Sequence, residues 1–270
     1  MQPIKTSLIL STYNRPDALT LCLESIRRQR VLPDEVIIGD DGSKEETRQV
    51  IEKFQKDFPV PLIHIWQEDT GFRLAMARNK CMAAAKYEYI IQIDGDLILH
   101  RSFVEDHIHF ARKGFYIKGG RVNIEKKLTD KLSRKLQYKT LNFLTPGLSR
   151  RENAIRCLSL ANYLAPNRKT APGLGANMSF WKEDIIQING YDEFFVGWGG
   201  EDYDLAMRLQ HLGRKKLALK FAAIVFHMWH NDVHMQNRKK NFDYYHDAVD
   251  KKRIRCEKGI DQYLSSESSK

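Results

Sequence analysis

Hydrophobic positions in the first half of the chain alternate between two periodicities. Apolar runs of strand length lie at residues 7–10, 35–39, 62–66 and 89–93. Between them the apolar residues recur at helical spacing, and residues 17–29 and 74–86 show this pattern most clearly. Strands that alternate with amphipathic helices are typical of a sheet built from crossover units. The pattern therefore predicts an α/β fold with a mostly parallel central sheet flanked by helices.

The second half of the chain is less regular. Residues 121–171 form long basic and amphipathic stretches, which we interpret as a helical or loop insertion over the core. Residues 172–231 return to mixed strand, helix and loop, and residues 232–270 are predicted to form a basic helical tail with a frayed end. A chain of 270 residues with 42% hydrophobic residues suffices for one core. We expect a single domain over 1–231, with 1–120 as its first half.

Charge and cysteine content narrow the class of protein. Lys and Arg number 44 against 34 Asp and Glu, and this surplus favours anionic partners such as nucleotides, phospholipid headgroups or nucleic acid. The cysteines lack the paired spacing of a zinc site and the density of a disulfide scaffold; they are Cys22, Cys81, Cys157 and Cys256. Signal-peptide and membrane-span patterns are also missing. We therefore expect reduced thiols in a cytoplasmic protein.

Polar residues follow the predicted strands at the points where ligands bind in open α/β sheets. They are Thr12, Asn14 and Arg15 after the first strand, Asp40 and Asp41 after the second, and Asp94 and Asp96 after a later one. The chain has neither a glycine-rich dinucleotide turn after its first strand nor a Walker-type Gly-Lys-Ser/Thr sequence. A phosphate ligand must therefore be held in another way.

Asp94-Gly95-Asp96 is a candidate metal site. Residues two apart at a strand end project to the same side, so both carboxylates can share a hard divalent cation such as Mn²⁺ or Mg²⁺. Such pairs also occur in solvated turns, which is the alternative interpretation. The strongly apolar strand before this pair favours a metal, because two buried carboxylates without a cation would be costly.

Residues 197–204 form a second candidate site, Gly-Trp-Gly-Gly-Glu-Asp-Tyr-Asp, before a helical pattern. Adjacent glycines at 199 and 200 allow a backbone to approach a ligand closely. Glu201 and Asp202 open the helix, where acidic residues can also act as N-terminal caps. Capping accounts for one acidic residue and leaves Trp198 and the paired glycines unexplained.

Histidines follow the apolar run at residues 222–226. His227 or His230 could complete a metal shell begun by the aspartates, and His234 is a third candidate. A single histidine beside a strand is usually structural, so the pair is the informative feature.

Taken in order, these motifs resemble the inverting glycosyltransferases of GT-A fold, family 2 type. The resemblance covers about residues 5–231 and rests on segments 11–16, 40–43, 77–79, 94–96 and 197–202. Residues 197–204 and 227–230 are also similar to the C-terminal part of β-1,4-galactosyltransferases and chondroitin-polymerase-like enzymes. The resemblance implies a GT-A (Rossmann-like) fold whose residues 1–120 bind the nucleotide, whereas 172–231 bind the acceptor and complete the metal site.

Roles for individual residues follow from this resemblance. Those implied to bind the nucleotide sugar are Thr12, Tyr13, Asn14, Arg15, Asp41, Arg73, Arg78, Asp94 and Gly95. Within this set, Asp41 would accept from uracil, Arg78 would face the diphosphate and Asp94 would contact the ribose or the metal. The implied metal ligands are Asp96, His230 and His227. Asp202 would be the catalytic base and Glu201 would bind the acceptor sugar. The acceptor and donor-sugar wall would comprise Trp198, Gly199, Gly200 and the 175–178 segment with Asn177.

The implied reaction transfers a hexose or N-acetylhexosamine from a UDP-sugar to a hydroxyl of a glycan, with inversion. UDP-galactose, UDP-glucose and their N-acetyl forms are the candidate donors, and a surface polysaccharide or a lipid-linked, lipopolysaccharide-type glycan is the candidate acceptor. The chain lacks the Gln-x-x-Arg-Trp motif of processive synthases. We therefore expect one sugar to be added at a time.

Other functions remain open at this stage. A nucleic-acid-binding protein would share the basic surplus, but no recognised motif spacing supports it and we expect no nucleic-acid partner. A sugar nucleotidyltransferase on a related fold would need a glycine-rich, lysine-containing N-terminal loop, which is missing. The basic insertion could hold the protein at the inner face of an anionic membrane, or it could be an ordinary solvated helical surface.

Overall fold

The computed structural model describes residues 3–166, 175–231 and 237–264. Its first half follows the predicted strand–helix alternation. The elements are β1 (Thr6–Thr12), α1 (Pro16–Ile26), β2 (Glu35–Asp40), α2 (Glu45–Gln55), β3 (Leu62–Trp66), α3 (Leu74–Ala84) and β4 (Tyr89–Asp94). Each predicted strand and helix of this half is present, with ends that differ by up to three residues.

The second half adds shorter strands and six further α-helices among the described residues. The elements are β5 (Leu97–Leu99), α4 (Phe103–Phe110), β6 (Phe115–Lys118), β7 (Val122–Ile124), α5 (Lys126–Lys135), β8 (Leu148–Ser149), a 3-10 turn (Arg151–Ala154), α6 (Leu158–Leu164), β9 (Asn177–Trp181), α7 (Lys182–Ile188), α8 (Glu201–His211), β10 (Lys215–Ala218), β11 (Val225–His227), α9 (Arg238–Asp250) and a 3-10 turn (Ile260–Tyr263).

A seven-stranded sheet in the order β10-β6-β9-β4-β1-β2-β3 forms the centre. β1 pairs in parallel with β2 and β4, and β2 pairs in parallel with β3, whereas β9 is antiparallel to both of its neighbours. Alternate residues of β1 enter two different cores, with Leu8 and Leu10 on one face and Ile9 on the other. Burial of both faces explains why β1, β2 and β4 are continuous apolar runs. The predicted mostly parallel sheet is confirmed.

A second sheet in the order β5-β11-β7-β8 was not predicted. Two of its strands, β7 and β8, belong to the segment interpreted as a helical or loop insertion. β7 pairs in parallel with β11, so that Asn123 lies beside His227. Strands of two or three residues are too short to show a period of two, which is why the sequence pattern did not reveal them. The helical expectation for this segment holds for α5 and α6, and residues 167–171 lie outside the described part.

The C-terminal segment is more firmly attached than the predicted tail. α9 is the expected helix, but the chain after it returns to the core and Ile260 is fully buried. Asn189 holds this segment, since its backbone oxygen accepts from Ile260 N (3.0 Å) and its side-chain oxygen accepts from Asp261 N (3.0 Å). The predicted frayed end, 265–270, lies outside the described residues. Within the described ranges, no helix is long and apolar enough to cross a membrane.

Candidate active site

The carboxyl ends of β1, β2 and β4 bring the predicted polar residues to one edge of the central sheet. The strand register places Ser11 beside Asp94 and Thr12 beside Asp40. Gly95 N donates to the Ser11 oxygen at 2.7 Å, which fixes the turn between Asp94 and Asp96. The parallel arrangement therefore places the residues that follow three different strands next to one another.

Asp96, His227 and His230 converge as predicted. Asp96 Oδ2 lies 3.5 Å from His227 Nε2 and 3.4 Å from His230 Nε2, and one potential ligand atom from each residue lies within 4.8 Å of the others. β11 and the β4–β5 turn hold this arrangement, because Met228 N donates to the Asp96 oxygen at 3.0 Å. His234, the third candidate, lies outside the described residues.

The chemistry of this cluster fits a divalent cation. Asp96 Oδ1 is buried and has no hydrogen-bond partner, so a charged oxygen is left available for a ligand. Burial lowers the pKa of His227, although the charge of Asp96 opposes this shift, and the neutral imidazole is the form that binds metals. One carboxylate and two imidazoles suit Mn²⁺ better than Mg²⁺, which prefers oxygen ligands. Arg15 Nη1 lies 3.8 Å from Asp96 Oδ2 and adds positive charge beside the cluster.

Asp41, predicted to bind the nucleotide, is held by two hydrogen bonds. Its Oδ1 accepts from Gln67 Nε2 at 2.6 Å and its Oδ2 accepts from Arg73 N at 2.9 Å, while burial raises the pKa of the carboxyl. Arg73 thus contributes through its backbone, and its Nε donates to the Thr70 oxygen. Sequence analysis did not identify Gln67, which gave no motif signal.

The loop after β1 also contacts Asp41. The Thr12 oxygen accepts from Asp41 N at 3.0 Å, and Thr12 is nearly buried. Asn14 has a positive φ of 48° and its side-chain oxygen accepts from Lys44 N at 2.8 Å, which ties the loops after β1 and β2 together. Tyr13 is 43% exposed and donates to Asp69 Oδ2. Tyr13 is therefore the exposed aromatic residue of this loop.

Arg78 links the end of β4 to the start of α8. Its guanidinium is buried and bridges two carboxylates, with Nη2 at 2.9 Å from Asp94 Oδ1 and Nη1 at 2.7 Å from Asp202 Oδ1. The predicted role of Arg78 toward the diphosphate stays a prediction, and the guanidinium is paired with these two acidic residues in this structure. The two ion pairs also hold the end of β4 close to the start of α8, because one arginine side chain contacts both.

Three hydrogen bonds hold the carboxylate of Asp202 in place. Arg78 Nη1 and Tyr191 Oη (3.0 Å) both donate to its Oδ1, and Gly175 N donates to its Oδ2 at 2.8 Å. Its side chain is 20% exposed, so it still reaches solvent. Glu201 beside it has a pKa raised to about 8 by burial and by the charge of Asp202, and its Oε2 has no partner. Sequence analysis did not identify Tyr191.

The glycines before α8 have the backbone conformations that the sequence suggested. Gly200 is the N-cap of α8 with φ +98°, and a Cβ there would lie 2.6 Å from Phe195 Cε1. No side chain caps this helix, so capping does not explain the acidic pair. Gly199 has φ +88°. Trp198 is 43% exposed, with the Arg238 guanidinium carbon 5.5 Å from its ring centre.

Asn177 does not belong to an acceptor wall. It is fully buried, its Oδ1 lies 3.0 Å from His107 Nε2, and its Nδ2 donates to the oxygens of Gly120 (2.9 Å) and Ala223 (2.8 Å). These bonds use the amide within the interior and join β9 to the segments beside it. The prediction for Asn177 is therefore wrong, and Gly175 is the residue of the 175–178 segment that contacts the site.

Two family models match the chain. Residues 7–165 match glycosyl transferase family 2, and residues 158–231 match a model described as the N-terminal domain of galactosyltransferase. The first match covers more than half of the chain. The second covers Gly175, the 197–202 segment and both histidines, so each half of the site falls within a matched region.

Curated relatives are similar over most of this chain. Chondroitin synthase of Escherichia coli is 26% identical over 223 residues, which cover 77% of this chain and 32% of the relative. Hyaluronan synthase of Pasteurella multocida is 29% identical over 231 residues, with coverages of 78% and 23%. Validoxylamine A glucosyltransferase of Streptomyces hygroscopicus subsp. limoneus is 26% identical over 224 residues, with coverages of 77% and 48%. The chain thus spans less than half the length of each of these three relatives.

Solved structures share the fold. S. aureus TarS 1–349 in complex with UDP superposes with a TM-score of 0.64 at 15% identity, covering 97% of this chain and 70% of TarS. GalNAc-T7 with UDP, GalNAc and Mn²⁺ superposes with a TM-score of 0.66 at 15% identity, covering 92% of this chain and 48% of GalNAc-T7. These neighbours show that the chain has the GT-A fold, and the family match over residues 7–165 shows that it belongs to glycosyl transferase family 2.

Proposed function

We propose that the protein is a metal-dependent, inverting glycosyltransferase that moves a hexose or N-acetylhexosamine from a UDP-sugar to a hydroxyl of a glycan. The observation that carries the proposal is the Arg78 bridge. It places the carboxylate of Asp202 next to Asp94, at the strand end where a nucleotide sugar binds in an open α/β sheet. A base at this position would lie beside the bond to be broken.

The donor class is supported from two directions. TarS and GalNAc-T7 were both solved with UDP. The relatives are named chondroitin synthase, hyaluronan synthase and validoxylamine A glucosyltransferase. In this chain the residues that would bind the uridine are Thr12, Tyr13, Asn14, Arg15 and Asp41. The donor sugar is a galactose, a glucose or one of their N-acetyl forms.

Asp96, His227 and His230 would hold the metal, which we propose is Mn²⁺, with Mg²⁺ as the alternative. The bound ion would supply positive charge to the diphosphate of the leaving group. GalNAc-T7 was solved with Mn²⁺, which supports this assignment. Arg15 beside Asp96 adds positive charge to the same region.

Asp202 accepts the proton of the acceptor hydroxyl while that oxygen attacks the anomeric carbon and UDP departs. A single displacement of this kind inverts the anomeric configuration. Glu201 would hydrogen-bond the acceptor sugar. Trp198, which is exposed, would stack against this sugar, with Gly199 and Gly200 allowing close approach.

We also propose that the enzyme acts in the cytoplasm on a surface-polysaccharide or lipopolysaccharide-type acceptor and contacts the inner face of an anionic membrane. The loop before β8 supports this contact, because Phe143 (46%) and Leu144 (67%) are exposed and Arg151 Nε donates to the Phe143 oxygen. Sedimentation with anionic and neutral vesicles tests it. Equal recovery in both supernatants would remove the membrane contact from the proposal.

The central experiment is a screen of UDP-sugars with Mn²⁺, measured by UDP release with and without glycan acceptors. Asp202→Asn should lower transfer by about 10²–10⁴-fold and leave UDP affinity unchanged. Asp57→Asn is the matched control, because Asp57 is an exposed aspartate paired with Arg27. Salt-dependent RNA or DNA binding without UDP binding would support the nucleic-acid alternative, and pyrophosphate release would support a nucleotidyltransferase.

A further inference from the structure

The hydroxyl of Tyr191 lies at the centre of a buried polar cluster. Tyr191 is fully buried, and its Oη lies 2.8 Å from Gln92 Nε2, 3.2 Å from Arg78 Nη1 and 3.0 Å from Asp202 Oδ1. Tyr191 follows the turn at Asn189 and Gly190, whereas Gln92 lies in β4, 99 positions away. The cluster therefore joins the central sheet to the segment before α8.

The chemistry of the partners fixes the direction of each hydrogen bond. An arginine nitrogen can only donate, and Gln92 Nε2 also donates to the Gly175 oxygen at 2.9 Å, which determines the orientation of that amide. Tyr191 Oη thus accepts twice, and its own hydrogen is left for Asp202. Burial raises the pKa of Tyr191 well above its usual value of 10, so the hydroxyl keeps this proton.

The two carboxylate oxygens of Asp202 accept different numbers of hydrogen bonds. A carboxylate offers about four lone-pair sites, two on each oxygen. Oδ1 accepts from both Arg78 and Tyr191, so its sites are filled, while Oδ2 accepts from Gly175 N. The open site is on Oδ2, and the side chain as a whole is 20% exposed.

We propose that Tyr191 is a positioning residue that, supported by Gln92, fixes the Asp202 carboxylate so that Oδ2 receives the acceptor proton. This inference rests on the proposed function, in which Asp202 is the base. In the step itself, the proton moves from the acceptor hydroxyl to Oδ2, the bond from that oxygen to the anomeric carbon forms, and the bond to the diphosphate oxygen breaks. UDP leaves with the electron pair.

Tyr191→Phe tests the role of the hydroxyl while keeping the ring. The charged Asp202 loses one stabilising hydrogen bond, so the acidic limb of the pH profile of kcat/KM should move to higher pH by about one unit. The other charged or titratable groups facing Asp202 are Arg78, Asp94 and Glu201, and the substitution leaves them in place. We expect kcat at neutral pH to fall about tenfold and KM for the UDP-sugar to stay the same.

Tyr89→Phe is the matched control. Tyr89 is equally buried, and its hydroxyl bonds to Ser179 Oγ at 2.7 Å, outside the proposed site. It should leave the acidic limb in place. If Tyr191→Phe proves unstable, incorporation of 3-fluorotyrosine at position 191 strengthens the donor, and the limb should move to lower pH.

The outcomes separate this inference from the proposed function. If Asp202→Asn abolishes transfer but neither Tyr191 variant moves the acidic limb, Tyr191 does not position the base and this inference is wrong. If Asp202→Asn retains transfer, the base assignment in the proposed function fails first. An acidic limb that moves in both Tyr191→Phe and Tyr89→Phe would also overturn the inference, because the effect would then be a general loss of a buried hydroxyl.

Discussion

Arg78 Nη1 lies 2.7 Å from Asp202 Oδ1, although the two residues are 124 positions apart in the chain. This ion pair joins α3 to the first turn of α8, and the same guanidinium also reaches Asp94 at the end of β4. The two halves of the proposed site are therefore linked within the protein, before any substrate is bound.

Replacing Arg78 should reduce both stability and transfer. Arg78→Met leaves Asp94 and Asp202 close together without their shared cation, and we expect the free energy of unfolding to fall by about 3 kcal/mol. Urea denaturation measures this loss. Arg48→Met, which removes an exposed arginine paired with Glu45 and Glu52 on α2, should cost less than about 1 kcal/mol. Equal losses in the two variants would show that the buried bridge does not stabilise the fold.

Metal binding should depend on the cluster at the end of β11. Asp96→Asn or His227→Ala should weaken Mn²⁺ binding by at least about tenfold, because each removes one of three protein ligands. Titration calorimetry with Mn²⁺, in the presence and absence of UDP, measures the effect. Protons compete for the imidazole nitrogens, so affinity should fall on acidification. His109→Gln, an exposed histidine of α4, is the control, and unchanged affinity in Asp96→Asn would contradict the site.

Glu201 should make stability decrease with rising pH. Its pKa is raised to about 8 by burial and by Asp202, whereas an unfolded glutamate titrates near about 4.3. The folded state therefore holds an extra proton between these values, and this contribution to stability is lost as pH rises through that window. Glu201→Gln mimics the protonated form, so its stability relative to wild type should increase from pH 6 to pH 9. Glu152→Gln, at an exposed site, should show no such trend.

His107 should make the protein sensitive to acid. Burial lowers its pKa to about 3, and its ring bonds Ser179 Oγ (2.7 Å) and Asn177 Oδ1 (3.0 Å). An unfolded histidine takes up its proton near about pH 6.5, so the unfolded state is favoured as pH falls below that value. The free energy of unfolding of His107→Gln should therefore decline less between pH 7 and pH 4 than that of wild type. Parallel declines would contradict this expectation.

Gly175 should tolerate no side chain. A Cβ at this position would lie 2.2 Å from Asp202 Oδ1 and 2.6 Å from Arg78 Nη2. Gly175→Ala should therefore displace the proposed base and reduce transfer by about tenfold or more, measured as UDP release. Gly120→Ala is the matched control, since the nearest atom to a Cβ there is 3.9 Å away. Equal activity in the two variants would show that the contact at Gly175 is relieved elsewhere.

The sequence predicted those parts of the fold that have long periodic segments. β1 to β4 and the helices between them are long enough for their apolar spacing to be distinct, and both faces of β1, β2 and β4 are buried. The second sheet was missed because its pairing depends on contacts between strands of two or three residues, such as β7 with β11. Local pattern contains no information about such partners.

The candidate site shows the same limit. Asp96, His227 and His230 lie together, as expected. These three residues could be identified from the sequence because each follows an apolar run that predicts a strand. Gln92 and Tyr191 belong to no recognisable motif. A glutamine within an apolar strand and a tyrosine after a turn usually have structural roles, so neither residue was predicted to lie in the site. Asn177 was assigned to the acceptor wall from its neighbours in the motif, but three interior hydrogen bonds decide its place. The roles of the remaining residues stay predictions.

The attachment of residues 256–261 to Asn189 has a practical consequence for protein engineering. Asn189 Nδ2 donates to the Cys256 oxygen, and Ile260 packs where a side chain at Gly190 would lie, one residue before Tyr191. A minimal catalytic fragment should therefore extend through this segment instead of stopping at residue 231. Fusions or cuts placed between 251 and 261 should disturb the segment that carries Tyr191 and, through its hydrogen bond, the position of Asp202.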